Sequence, residues 1–267
     1  MNDIVLKNEE LFHDEWASGV DVNEIDVVSI FEACTMPENR KIMEWLKDVR
    51  DKEILELGCG LGEASTYLAL CGANVTATDL SSGMLEVANK LALKNGTSIK
   101  TIKCDADSLP FPDNQFDIVY CSNLLHHVDI EITVKEIYRV LKNGGVFVAW
   151  EPLAHNPAIN IYRRMATEVR TEDEHPLRTK DIRVIKNIFG NLRYDCTWLI
   201  TLLIFVKYYF IDKYNPNKIR YWKQILVEHK KLEPMYNKLE KIDNFILRYF
   251  PFLGKYCWNI ILMAKKN

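Results

Sequence analysis

The stretch Ile54-Leu-Glu-Leu-Gly-Cys-Gly-Leu-Gly-Glu-Ala-Ser65 joins a short apolar run, Glu53–Leu57, to a helical pattern, Glu63–Cys71, through a turn with glycine at 58, 60 and 62. Glycines between a strand and a helix let backbone amides approach a ligand closely. A dinucleotide fingerprint would place its third glycine at position 63, but Glu63 stands there, and a second carboxylate, Glu56, precedes the turn. Two negative charges beside the loop disfavour a pyrophosphate and suit a ligand carrying positive charge.

Outward from this loop, apolar runs and helical patterns alternate as far as Trp150, the signature of β-α-β units feeding a parallel sheet. The spacing predicts strands at Glu53–Leu57, Asn74–Thr78, Ile99–Lys103, Phe116–Tyr120 and Val146–Trp150, with helices at Glu63–Cys71, Met84–Lys94 and Glu131–Leu141. Gly72, Gly96 and the Gly144–Gly145 pair are expected to stop those helices. Asp79 follows the second strand, where an acid accepts hydrogen bonds from ribose hydroxyls, and Asp105 follows the third, within reach of an adenine amino group. In open parallel sheets ligands sit outside the carboxyl ends of the strands, so these acids are expected on one rim.

The flanks are read more coarsely. Residues 1–50 look helical, with Pro37 opening a helix through Val49. Beyond a loop at 152–157, Ala158–Arg170 reads as helix, and Leu192–Ile200 and Trp258–Ala264 as an antiparallel strand pair at the sheet edge. Two amphipathic helices, broken at Pro234, are expected between Tyr221 and Tyr249. With no repeat or flexible linker, 1–267 is read as one domain: a helical N-terminal lid (1–50), a ligand-binding core (51–152), and a substrate-side insertion with the final hairpin (153–267).

Composition narrows the classes. The 267 residues are 48% apolar and 27% charged, and 34 basic against 37 acidic side chains leave a net charge of −3, so nucleic acid is not the expected partner. Seven cysteines, none in a C-x-x-C pair, argue against a disulfide framework or a zinc site, and no metal is expected. The acidic N-terminus carries no secretory pattern, which with the cysteines points to the cytoplasm. Trp198–Ile211 falls short of the roughly 20 residues a bilayer span needs. It reads as core or lid, or as an exposed patch for a lipid-like substrate or a membrane surface.

Taken together, ILELGCGLGEAS (54–65), VTATDLSSGML (75–85), CDADSLPFPDNQFDIVYCSNLLHHV (104–128) and RVLKNGGVFVAW (139–150) resemble the class I S-adenosylmethionine-dependent methyltransferases over about 100 residues. The resemblance implies a Rossmann-like α/β fold whose seven-stranded, mostly parallel sheet has its last strand antiparallel. It implies S-adenosyl-L-methionine as cofactor, S-adenosyl-L-homocysteine as product, and methyl transfer to a small-molecule acceptor. Glu56, Gly58, Gly60 and Gly62 would meet the methionine part, Asp79 the ribose, and Leu80, Met84, Asp105 and Ala106 the adenine. Ser122 and Asn123 would lie beneath the methionine and sulfonium.

Candidates for the chemistry fall after the fourth and fifth strands. His126 and His127 follow the fourth, and either could face the acceptor or simply hold a backbone carbonyl. Glu151 and His155 could pair as a base and its orienting partner, or Glu151 could meet an arginine and Asn156 cap a helix. Tyr162, Arg163, Arg170 and His175 are candidate acceptor contacts, the arginines for a carboxylate or phosphate, with a solvated charged face as the plain alternative. Oxygen is the first expectation for the methylated atom and nitrogen the second, with a lipid or isoprenoid acceptor as the alternative. A nicotinamide-dependent dehydrogenase and a non-catalytic nucleoside-binding protein remain as readings of other classes. The sequence leaves the oligomeric state open.

Overall fold

In the computed structural model, which describes residues 3–165 and 175–267, seven strands form a single sheet. They are β1 (Glu53–Leu57), β2 (Asn74–Asp79), β3 (Lys100–Lys103), β4 (Phe116–Ser122), β5 (Leu141–Pro152), β6 (Arg193–Thr197) and β7 (Asn259–Lys265), in the order β3-β2-β1-β4-β5-β7-β6. Strands β1 to β5 are parallel, and β7 runs antiparallel between β5 and β6. This is the Rossmann-like sheet expected, with its chain order reversing between β1 and β4.

Eleven helices are described: α1 (Asp3–Ser18), α2 (Val27–Phe31), α3 (Pro37–Leu46), α4 (Glu63–Leu70), α5 (Ser82–Lys94), α6 (Ile130–Val140), α7 (Pro157–Met165), α8 (Thr179–Phe189), α9 (Leu203–Phe210), α10 (Tyr221–Val227) and α11 (His229–Tyr249). Helices α6 and α8 pack together and share a core with Leu55, Val119, Phe147 and Leu262 on one sheet face. On the other face Ile42 and Trp45 of α3 and Leu68 of α4 meet Ile54, Val75, Tyr120 and Val148. A third core is aromatic and lies outside the sheet: Trp198, Phe205, Tyr208, Tyr221 and Tyr236 join α9, α10 and α11. Aromatic edges meeting faces add specific attraction to the buried area, as where Trp198 meets Tyr236 and Phe205 meets Tyr221.

Three local expectations are corrected. Gly144–Gly145 does not stop a helix: α6 ends at Val140, and the pair lies inside β5, which starts at Leu141 and shifts register against β4 between Phe116 and Ile118. Gly145 is needed there because a Cβ would stand 2.8 Å from the Lys142 carbonyl oxygen. The break between α10 and α11 falls at Glu228 and not at Pro234, which sits inside α11. At that joint Thr35 donates to the Ile225 carbonyl, so a distant segment satisfies what the end of α10 leaves open. Trp198–Ile200 leaves the sheet after Thr197 and turns toward α9.

Candidate functional site

The carboxyl ends of β3, β2 and β1 lie side by side, and with them Asp105, Asp79 and Glu56. Strand β1 leads directly into the glycine turn. Gly62 has φ +81, and a Cβ on it would stand 2.5 Å from Ala88, so only glycine lets α4 start this close to α5. Gly58 has φ +64, and a Cβ there would meet the Leu124 side chain at 2.9 Å. The turn is thus packed between α5 and the loop after β4.

Asp79 ties β2 to that turn. Its Oδ2 accepts from Gly60 N and its Oδ1 from Ser81 N, each at 2.9 Å. Glu56 is 2% exposed and accepts from the Ser65 hydroxyl. Burial, with Glu63 and Asp79 nearby, pushes its carboxyl up to about 8. Burial likewise raises Glu63 and Asp79. Three carboxylates are therefore clustered beside the glycine turn where ionisation is costly, and a bound cation would relieve that cost. At the third strand Asp105 accepts from Asp107 N, and Ala106 is buried beside it. Leu80 is half-buried and Met84 fully buried.

Helix α1 crosses these strand ends. Asp14 accepts from the Ser81 hydroxyl (2.5 Å) and from Gly83 N (2.9 Å), capping the start of α5 from a remote element. Ala17 packs on Met84 and Val87. One turn back, Glu9 lies 3.5 Å from His13 and 3.7 Å from Nδ1 of His127. The His13 contact, with both histidines adding attraction, holds the Glu9 carboxyl below its ordinary value against the effect of burial. His13 Nδ1 is buried with no hydrogen-bond partner among the described residues, and its ring bears on Asp79. From the other side α10 brings Lys223 over the Trp16 ring at 4.3 Å and close to Glu63. Glu9, His13 and Lys223, and the half-buried setting of Glu63, were not singled out from the sequence. The four-residue spacing of Glu9 and His13 on one helix face was the only signal for the first two.

Strand β4 ends at Ser122 and the chain turns at Asn123, which has φ 53 and donates its N–H to the Trp150 carbonyl. Glu151 is fully buried, but its partner is not His155. Its Oε1 accepts from Leu124 N and Leu125 N at 2.8 and 2.7 Å, and Oε2 lies 2.7 Å from His126 Nδ1. His155 is exposed. The expected Glu151–His155 pair is replaced by Glu151–His126, because β5 delivers the carboxylate beneath the β4 loop. Expected from their adjacency to point apart, His126 and His127 instead lie against each other, their ring centroids 4.1 Å apart. A row of ionisable side chains, Glu151, His126, His127, Glu9 and His13, thus runs from the core to α1.

The remaining candidates divide. Tyr162 stacks on Tyr221 in the aromatic core, and its hydroxyl accepts from Tyr221 N. Arg163 donates to the Leu153 carbonyl and Asn160 Oδ1. His175 donates its backbone N–H to the His126 carbonyl, which brings 175 to the same loop. Arg170 lies outside the described residues. Asn156 caps α7 by accepting from Ile159 N, the plain alternative read for that turn.

Residues 55–149 match the model of the methyltransferase domain family. Among curated relatives, the chain is 38% identical over 117 residues to a demethylmenaquinone methyltransferase of Clavibacter sepedonicus, covering 43% of this chain and 46% of that one. It is 39% identical over 103 residues to a sterol 24-C-methyltransferase of Aspergillus fumigatus, covering 37% and 27%. The chain thus spans less than half the length of these relatives. Among solved structures, a chain described as a candidate methyltransferase from Bacillus halodurans aligns with a TM-score of 0.55 at 22% identity over 85% of this chain and 97% of that one. A phosphoethanolamine N-methyltransferase of Haemonchus contortus, solved with S-adenosylhomocysteine, aligns with a TM-score of 0.56 at 17% identity over 86% and 52%. These likenesses show the class I methyltransferase fold.

Proposed function

We propose, from the premise that residues 55–149 form a class I S-adenosylmethionine-dependent methyltransferase domain, that the whole protein transfers a methyl group to a small-molecule acceptor. The observation that carries this reading is the acidic cluster itself, where Glu56, Glu63 and Asp79 crowd beside a glycine turn with their carboxyls raised by burial. The cofactor, when bound, supplies a methyl group on a sulfonium, and its net positive charge is what such a cluster favours.

In this reading the turn amides and Glu56 hold the methionine part. Asp79 receives the ribose hydroxyls through lone pairs left free by Gly60 and Ser81, since each carboxylate oxygen accepts more than one hydrogen bond. Asp105 and Ala106 border the adenine. Glu151 acts through another group: it fixes the His126 ring and two loop amides and so places His127 at the β4 tip. His127, beside Glu9, is the candidate base for a hydroxyl acceptor, Glu9 stabilising the imidazolium form. Oxygen is therefore the acceptor atom we favour. Arg163 is engaged by backbone and Asn160, which weakens the case for an acidic acceptor. The quinone and sterol enzymes named above favour a second reading, a lipid-like acceptor.

One set of variants tests both halves. Wild type should bind S-adenosylhomocysteine in calorimetry and leave NAD unbound. Asp79→Ala should lose about 1.5–3 kcal/mol of that affinity per charged hydrogen bond removed. His127→Ala should bind normally while turnover on a hydroxyl acceptor falls by about 10²–10⁴. Preference for NAD, or an unchanged affinity in Asp79→Ala, would end this account.

A further inference from the structure

Away from the acidic cluster at the glycine turn, charge and apolar surface are distributed unevenly. Residues 198–258 hold eleven Lys and Arg against five Asp and Glu, although the whole chain is net negative. The same segment carries an apolar surface that faces away from its own core. Helix α11 buries Leu232, Tyr236 and Asp243. Asp243 fixes the helix's rotation, because its carboxylate accepts from the backbone of Leu199, Ile200 and Thr201.

At about 100° per residue, Ile242, Phe245 and Tyr249 fall on the side turned from those contacts, and all three are exposed, Phe245 by 62%. The chain after α11 extends the patch with Phe250 and with Phe252, which is 66% exposed. Phe245 meets Tyr249, and Phe250 meets Phe252, so the rings form neighbouring pairs. Lys238, Lys241 and Arg248 flank this stripe on the helix, and Lys255 follows it; all four are exposed. The three acids of α11 lie elsewhere on its circumference: Asp243 is buried, Glu240 is paired with Arg40, and the exposed Glu233 falls more than 100° round the helix from Phe245 and Tyr249.

We propose that this face docks the protein on an anionic lipid bilayer, with the aromatic rings at the acyl boundary and the basic side chains among the headgroups. Aromatic rings ringed by Lys and Arg with no acid on the same face are the make-up of an interfacial helix. A second copy is the less suited occupant. A two-fold interface presents the same patch from both sides, so the basic residues of the two copies would share one contact, whereas anionic headgroups supply the opposite charge. The docking surface stands on α11 and the turn after it, independent of the methylated atom.

The test is cosedimentation of the full chain with phosphatidylcholine vesicles, with and without phosphatidylglycerol, beside sedimentation velocity of the chain alone. Wild type should bind the anionic vesicles at least about tenfold more tightly than the neutral ones, each basic residue near the surface adding attraction. Phe245→Ser with Phe252→Ser, and separately Lys241→Glu with Arg248→Glu, should lose that binding while thermal unfolding and S-adenosylhomocysteine affinity stay at wild-type values. Wild type remaining in the supernatant, both pairs binding as wild type does, or self-association that these substitutions abolish without any vesicle binding would each overturn the proposal.

Discussion

Glu56 shows how one residue couples the acidic cluster to pH. Its carboxyl titrates at about 8 in the folded chain, chiefly because it is buried, and near its ordinary value once unfolded. A raised carboxyl binds its proton more tightly when folded, so its contribution to stability is largest in acid and declines as pH rises from about 4.5 toward 8. A cationic ligand favours the ionised form and reverses that slope. S-adenosylmethionine affinity should therefore climb across the same interval and level off above it, with a proton released on binding near neutrality. Calorimetry in two buffers of unlike ionisation enthalpy would report that proton, and Glu56→Gln should abolish both the release and the slope. Equal proton counts in wild type and variant would refute the assignment. The position was legible as a carboxylate before a glycine turn; its coupling to Glu63 and Asp79 was not, since it arises from side chains converging across two strands and a helix.

Among elements, the β4 tip and the end of β5 behave as one piece, and Glu151 is the reason. Its carboxylate meets two loop amides and His126 with no solvent exposure. Glu151→Ala would leave these buried groups without their acceptor, which typically costs about 1–3 kcal/mol for each group left unsatisfied. Urea unfolding should show that loss, and a variant within about 0.5 kcal/mol of wild type would contradict the role. Strands β1, β2 and β4 were readable to within two residues, because a strand buried on both faces leaves a continuous apolar run. The start of β5 was not. Its first residues include two glycines that resemble a helix stop, and only the pairing of Leu141 with Phe116, the backbone bonds of both glycines to Lys266 and the close approach at Gly145 make them strand.

At the scale of the molecule, the sheet core and the aromatic core of α9 to α11 are joined through Trp198, whose carbonyl accepts from Trp258 N and whose ring meets Trp258 and Tyr236. Trp198→Ala should cost about 3–5 kcal/mol, read by chemical denaturation followed by circular dichroism. If the C-terminal helices then melt before the sheet, the two cores are separable. The linear order of residues determined the strand-turn-helix unit, the acids after three strands and hence the ligand rim, because these depend on neighbours along the chain. Tertiary structure alone decided that Glu151 meets His126 and not His155, that α1 lays Glu9 and His13 against the β4 tip, and that one side of α11 stays bare. Each of those outcomes depends on which distant surfaces pack together, and packing energy belongs to pairs of elements that local spacing does not encode.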